Sequence, residues 1–115
     1  MSATTIHFVR HGKVYNPDHL LYERLPDFHL SDLGRRMAQA TAAYLANSPQ
    51  TNTISAVYSS PLDRTRETAD AILDALNPVR EARGEAPLML TADERVIEAG
   101  NEFRFRKGPL FASIV

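Results

Sequence analysis

Arg10, His11 and Gly12 carry side chains suited to phosphate chemistry, and they follow a short apolar run. The run Thr4–Arg10 predicts a buried strand, and ligands bind at the ends of such strands in parallel sheets. A neutral imidazole can attack phosphorus, because its unperturbed pKa is about 6.5. A guanidinium stays charged and can hold two phosphate oxygens. We therefore predict that His11 attacks a phosphoryl group held by Arg10, with Gly12 permitting close backbone approach.

Arg64 stands at a second junction of the same kind. Residues 54–58 predict a strand and residues 61–76 a helix, so Arg64 falls in the first turn of that helix. The free N–H groups and the dipole at a helix N-terminus favour anions. The alternative is that Arg64 and Arg66 belong to a solvated helix face with the acidic residues beside them. We predict that Arg64 is a second phosphate contact, and we interpret Arg66 as part of such a face.

Asn16 and Glu98 are further candidates, each with an alternative. Asn16 lies in an irregular stretch, residues 13–29, and could donate to a phosphate oxygen or belong to an ordinary Asn-Pro turn. Glu98 could protonate a leaving oxygen if its pKa were raised, or it could be a surface carboxylate. His19 and His29 show no spacing that links them to acidic residues, and we interpret them as surface or packing residues.

The order of strands and helices predicts the fold class. The chain alternates strand, helix, strand, helix, which predicts an α/β fold with a doubly wound, mostly parallel sheet and flanking helices. Ser31 is a suitable N-cap for the first helix, which we expect to end near Ala46, before Pro49. An apolar stripe predicts the buried face of this helix: Leu33, Met37, Ala40 and Tyr44.

The later elements have weaker signals. Ser60 is predicted to cap the second helix, with Pro61 in its first turn, and Asn77-Pro78 is predicted to break it. Leu88–Leu90 is a third strand candidate.

Composition excludes several classes of function. The 115 residues suffice for one domain, and 43% of them are hydrophobic and 23% charged. The net charge of −1 gives no reason to expect nucleic acid or membrane partners. The chain has no cysteine, which excludes disulfides and thiolate chemistry. No signal peptide or membrane span is apparent, so we expect a cytoplasmic protein.

Taken together, spaced motifs in the chain resemble the histidine phosphatase superfamily, also called phosphoglycerate mutase-like. The motifs are Phe8–Gly12, then Leu33–Arg36 with Gln39-Ala40, then Tyr58–Ala69. The resemblance runs from residue 5 to about residue 101 and implies the phosphoglycerate mutase-like fold.

The resemblance also implies roles for individual residues. His11 would become phosphohistidine, Arg10 and Arg64 would bind the phosphoryl group, and Glu98 would be the proton donor and later the base. Asn16 resembles a phosphate-contacting asparagine, one position early against the commonest spacing, and Gly12 would lie at the substrate. No metal or other cofactor is implied. Val14 departs from the pattern, since many members have Ser or Thr there.

One departure concerns the end of the chain. Family members carry a second catalytic histidine near a later strand, whereas this sequence has no histidine after His29. We therefore expect residues 1–115 to be the N-terminal portion of a single histidine phosphatase-like domain. Such a portion would leave apolar faces uncovered, so association with the missing C-terminal half or self-association is expected.

Three functions are compatible with the sequence. The first is a metal-independent hydrolase that acts on small-molecule phosphomonoesters through phosphohistidine. The second is a phosphoglycerate mutase, which returns the phosphoryl group to its substrate. Mutases usually have an acidic residue, Ser and Trp-Asn after Arg-His-Gly, and residues 13–16 lack most of these. The third is a module that binds phosphate ligands without turnover, which the lack of a second histidine would suit.

Overall fold

A parallel β-sheet forms the centre of the computed structural model, which describes residues 5–19, 28–98 and 111–114, with the backbone alone for 97–98 and 111–114. The strands are β1 (Thr5–Phe8), β2 (Ala56–Ser59), β3 (Leu90–Ala92) and β4 (Phe111–Ile114). They lie in the order β1-β4-β2-β3, and each neighbouring pair is parallel. The predicted α/β fold with a parallel sheet is confirmed.

Strand β4 lies between β1 and β2, although no separate sequence signal predicts it. Ile114 of β4 pairs with Phe8 of β1 on one side and with Tyr58 of β2 on the other. Because neighbouring strands are about 4.8 Å apart, the carboxyl ends of β1 and β2 are separated by about 10 Å. This spacing sets the width of the site described below.

Helix α1 (Asp32–Asn47) begins and ends close to its predicted bounds. The Ser31 hydroxyl accepts a hydrogen bond from the Gly34 N–H at 3.0 Å, as expected for an N-cap, and the helix ends two residues before Pro49. The local signals for both ends therefore agree with the structure.

The predicted buried face of α1 is wrong. Leu33, Met37 and Tyr44 are 45%, 46% and 66% exposed. The residues of α1 that are buried are mostly small: Gly34, Ala38, Ala42, Leu45 and Ala46. Small side chains allow α1 to pack closely against the second helix, so the contact lies on the face beside the stripe of larger residues.

Helix α2 (Asp63–Ala82) differs from the prediction at both ends. Leu62, not Ser60, is at the N-cap and makes no side-chain cap bond, while the Ser60 hydroxyl lies 2.6 Å from the Thr65 hydroxyl. The helix continues through Pro78, where a proline ordinarily costs about 3 kcal/mol.

Contacts on both sides of Pro78 offset that cost. The Asn77 side chain accepts from the N–H of Leu88 at 2.7 Å and donates to its carbonyl at 3.1 Å. The Arg80 guanidinium donates to the carbonyls of Ile54 and Ala86. The same contacts to Leu88 explain why β3 begins two residues later than predicted, since the Leu88 backbone pairs with a side chain instead of a strand.

The core lies between the helices and the sheet. Its most deeply buried apolar side chains come from both helices, β2 and the turn before β2: Ala42, Ile54, Val57, Ala69, Ile72 and Leu76. Burial of such side chains is the main stabilising contribution to a fold of this size. Neither helix of the described part of the chain is long and apolar enough to cross a membrane.

Candidate active site

The two arginine motifs lie at the same edge of the sheet because β1 and β2 are parallel. Arg10 and His11 follow the end of β1, and α2 starts four residues after the end of β2. Asp93 donates its N–H to the carbonyl of Ser59 at 2.8 Å, so the segment after β3 is joined to this edge too. Carboxyl ends of parallel strands are the usual place for a ligand site.

A backbone contact fixes the tautomer of His11. Its Nδ1 lies 2.8 Å from the carbonyl oxygen of Gly12. A carbonyl oxygen only accepts, so Nδ1 carries the hydrogen of the neutral ring and Nε2 holds the free lone pair. Nε2 is therefore the nitrogen of His11 that can act as a nucleophile.

Burial lowers the pKa of the His11 imidazole below its ordinary value of 6.5. The hydrogen bond to Gly12 opposes this shift, and the positive charges of Arg64 and Arg10 add to it. The effect of Arg64 indicates that its guanidinium lies near enough to His11 for their charges to interact. The lowered pKa keeps the ring neutral, which is the form that can attack.

We expect the midpoint of His11 protonation to lie below pH 6.5, measured by NMR titration of the ring protons. Between the pKa of His11 in the folded protein and 6.5, the imidazole is protonated mainly in the unfolded chain. The contribution of His11 to the free energy of unfolding is therefore present above pH 6.5 and is lost as the pH falls to the folded-state pKa. Arg10→Met removes one nearby cation and should raise the midpoint. A midpoint above 6.5 in the wild type would contradict the conclusion that burial and the nearby arginines lower the pKa of His11.

A cavity of about 460 Å³ brings together four of the predicted site residues: Arg10, His11, Gly12 and Asn16. His19 and Met37 also line it. Sequence reasoning placed neither at the site, because His19 lies in the irregular stretch 13–29 and Met37 was expected in the core. The volume leaves room for a leaving group beside a phosphoryl group.

Arg64 is buried, with 2% of its surface exposed, in the first turn of α2. It is not among the residues that line the cavity, and its link to the site is its charge acting on His11. Burial of a guanidinium is costly unless it is paired, so the solvated-face alternative is wrong for Arg64. Arg66 is exposed, as predicted.

Glu98 is the last residue of a 3₁₀-helix, Glu94–Glu98, that follows β3. Its side chain lies outside the described part of the structure. Its role as a proton donor stays a prediction.

Gly12 and Gly34 form a close backbone contact that no sequence motif indicated. A Cβ on Gly12 would stand 2.8 Å from the Gly34 Cα, and a Cβ on Gly34 would stand 2.9 Å from the Lys13 nitrogen and closer still to its carbonyl oxygen. Real Cβ atoms essentially never approach so closely. The first turn of α1 therefore fixes the position of the loop that carries His11.

Gly34→Ala is expected to destabilise the fold by about 1–3 kcal/mol, because backbone atoms of Lys13 must move. Alanine ordinarily stabilises a helix relative to glycine. A decrease in the free energy of unfolding would therefore show that the contact with Lys13 outweighs helix propensity. For the phosphoryl transfer that the sequence predicts, displacement of the His11 loop should also lower kcat/KM by about 10- to 100-fold. Thermal unfolding and steady-state kinetics measure the two effects.

Gly84→Ala is the matched control. Gly84 has a φ of 78° and no atom within 4 Å of an added Cβ, so alanine should cost stability only, about 1 kcal/mol. If Gly34→Ala leaves activity unchanged, the contact does not position His11.

Comparison with known proteins identifies the family. The model of the histidine phosphatase superfamily (branch 1) matches residues 6–98. This chain belongs to the histidine phosphatase superfamily. The matched range contains Arg10, His11, Arg64 and Glu98, the residues to which the resemblance assigns catalytic roles.

Two curated relatives come from Mycobacterium tuberculosis, the uncharacterized proteins Rv0525 (strain H37Rv) and MT0547 (strain CDC 1551). Each is 43% identical over 107 residues, covering 92% of this chain and 46% of the relative. The chain thus spans about half the length of the curated relatives that it matches. A crystal structure assigned as the phosphohistidine phosphatase SixA from Agrobacterium tumefaciens matches with a TM-score of 0.59 and 16% identity, over 95% of this chain and 66% of that one. This similarity supports the fold.

Proposed function

We propose that this member of the histidine phosphatase superfamily hydrolyses small-molecule phosphomonoesters through a phosphohistidine on His11. The observation that carries the proposal is the hydrogen bond from Nδ1 to Gly12, which leaves the Nε2 lone pair free in a ring that lines a cavity with Arg10. The lowered pKa of His11 supports the same role, since it favours the nucleophilic form.

The reaction would proceed in two displacements. In the first, Nε2 forms a bond to phosphorus while the bond to the substrate alcohol oxygen breaks, and that oxygen takes a proton, which we assign to Glu98. In the second, water forms a P–O bond as the P–N bond breaks, and Glu98 accepts a proton from the water. The products are the alcohol and inorganic phosphate, and His11 returns to its neutral form.

The arginines would supply the charge that the transition state needs. Phosphoryl transfer depends mainly on positioning and on stabilising charge over the phosphoryl oxygens. Arg10 at the cavity and Arg64 near His11 are suited to this, and the α2 N-terminus adds oriented N–H groups. Asn16 and Gly12 would contact the substrate from the cavity wall.

Trapping the covalent intermediate tests the proposal. The 115-residue chain is mixed with ³²P-labelled p-nitrophenyl phosphate and quenched in denaturant. We expect up to one acid-labile, alkali-stable phosphate per chain, with release of inorganic phosphate in the steady state. Transfer of the label to an added alcohol acceptor in place of phosphate release would support a mutase, and phosphate binding without any label would support the binding module.

A further inference from the structure

A single carboxylate on α2 contacts three residues around the start of α1. Glu67 accepts a hydrogen bond from the Leu30 N–H at 3.0 Å through Oε1. Its Oε2 pairs with the Arg35 guanidinium at 2.7 Å, and Nδ1 of His29 lies 3.3 Å from Oε1. The Glu67 side chain is 19% exposed, so these charge-assisted contacts are partly shielded from water. His29 is exposed, in line with the prediction of a surface residue. Its contacts with two carboxylates of α2, Glu67 and Asp63, were not predicted.

The segment held by Glu67 in turn holds the loop after His11. The N–H and hydroxyl of Ser31 donate to the Lys13 carbonyl at 2.8 and 2.9 Å. The Tyr15 N–H donates to the carbonyl of His29 at 2.8 Å. Backbone groups within two to four residues of His11 are thereby joined to residues 29–31.

Arg64 and Glu67 are three residues apart on α2, so they lie on neighbouring positions of one helix face. A continuous set of contacts therefore runs from the helix of Arg64 through Glu67 and residues 29–31 to the His11 loop. The loop that carries His11 and the helix that carries Arg64 are far apart in sequence, and these contacts fix their relative positions.

We propose that Glu67 is a positioning residue that holds Nε2 of His11 in line with the phosphoryl group bound by the arginines. The inference rests on the proposed function. Loss of the carboxylate would leave the Leu30 N–H and the Arg35 guanidinium without this acceptor, and the loop would lose one of its attachments to α2. Small shifts of a nucleophile reduce transition-state stabilisation more than they reduce binding of a ground-state anion.

Two anions separate these effects. Orthovanadate can accept Nε2 as a fifth ligand and so resembles the transition state, whereas inorganic phosphate requires only the arginines. We expect the wild type to bind orthovanadate at least about 100-fold more tightly than phosphate. Glu67→Ala should weaken orthovanadate binding by about 10- to 100-fold while the affinity for phosphate changes by less than about threefold.

Three variants complete the test. Glu67→Gln keeps an oxygen acceptor for Leu30 and should recover most of the preference for orthovanadate. Arg35→Ala removes one partner of Glu67 but keeps the hydrogen bond to Leu30, so it should weaken orthovanadate binding by a smaller factor, about threefold to tenfold. This variant keeps the inference testable if Glu67→Ala does not fold. Asp74→Ala removes an exposed carboxylate from the same helix and should match the wild type.

The outcomes distinguish the inference from the proposed function. If the wild type prefers orthovanadate and both Glu67→Ala and Arg35→Ala keep that preference, Glu67 does not position His11, and the inference fails alone. If the wild type binds the two anions equally, the proposed function fails and the inference fails with it.

Discussion

His11→Gln is expected to abolish the covalent label and to lower phosphatase activity by about 10³-fold or more. Glutamine has no nitrogen lone pair that can attack phosphorus, so the two-step route is lost. In enzymes that use covalent catalysis, removal of the nucleophile typically lowers the rate by several orders of magnitude. The measurement combines the quenched-label experiment with steady-state release of p-nitrophenol.

His19→Gln is the matched variant for this prediction. His19 lines the same cavity, so it tests whether any imidazole there can carry phosphate. We expect His19→Gln to retain the acid-labile label, and thermal unfolding should show that both variants fold. Undiminished labelling of His11→Gln would show that another group is the nucleophile.

Arg64→Met is expected to lower kcat/KM by about 10²- to 10³-fold. Methionine approximates the buried stem of Arg64 but supplies no charge for the phosphoryl oxygens. The pKa of His11 should also rise part of the way towards 6.5: burial, the main cause of its lowering, remains, but one of the two nearby cations is gone. Kinetics with p-nitrophenyl phosphate and NMR titration of the His11 ring measure the two effects on one sample.

Arg66→Met provides the control on the same turn of α2. Arg66 is exposed, so its loss should leave kcat/KM within about twofold and the His11 titration unchanged. Equal activity of Arg64→Met and the wild type would remove Arg64 from the site.

The sequence sufficed to predict the fold class and four of the residues that line the cavity. Strand patterns before Arg10 and before Arg64 were clear, and parallel strands bring the residues beyond their carboxyl ends to one edge of the sheet. This geometric rule is independent of the exact ends of the strands. It therefore tolerated the error of one or two residues in the bounds of β1 and β2.

The buried face of α1 could not be predicted from hydrophobicity alone. Two sets of residues repeat at helical spacing, one large and apolar and one small, and the pattern favours the large set. The structure buries the small set because the gain comes from close approach of α1 to α2, which depends on a partner that the local sequence does not contain. Gly34 was the available signal, since glycine inside a helix often marks a close contact.

The contacts of Glu67 were missed for a related reason. Its bond to Leu30 joins residues 37 positions apart. A carboxylate one turn into a helix is typical of an ordinary surface residue, and its partners become visible only after the two helices and the loop are assembled. The continuation of α2 through Pro78 likewise depends on the contact between Asn77 and Leu88.

A crystal structure of the chain with bound orthovanadate would test the convergence of these groups most directly. We predict one anion with Nε2 of His11 on the line of attack and with the guanidinium groups of Arg10 and Arg64 both within hydrogen-bond distance of its oxygens. An anion that contacts Arg10 while Arg64 is directed to another part of the molecule would contradict the account.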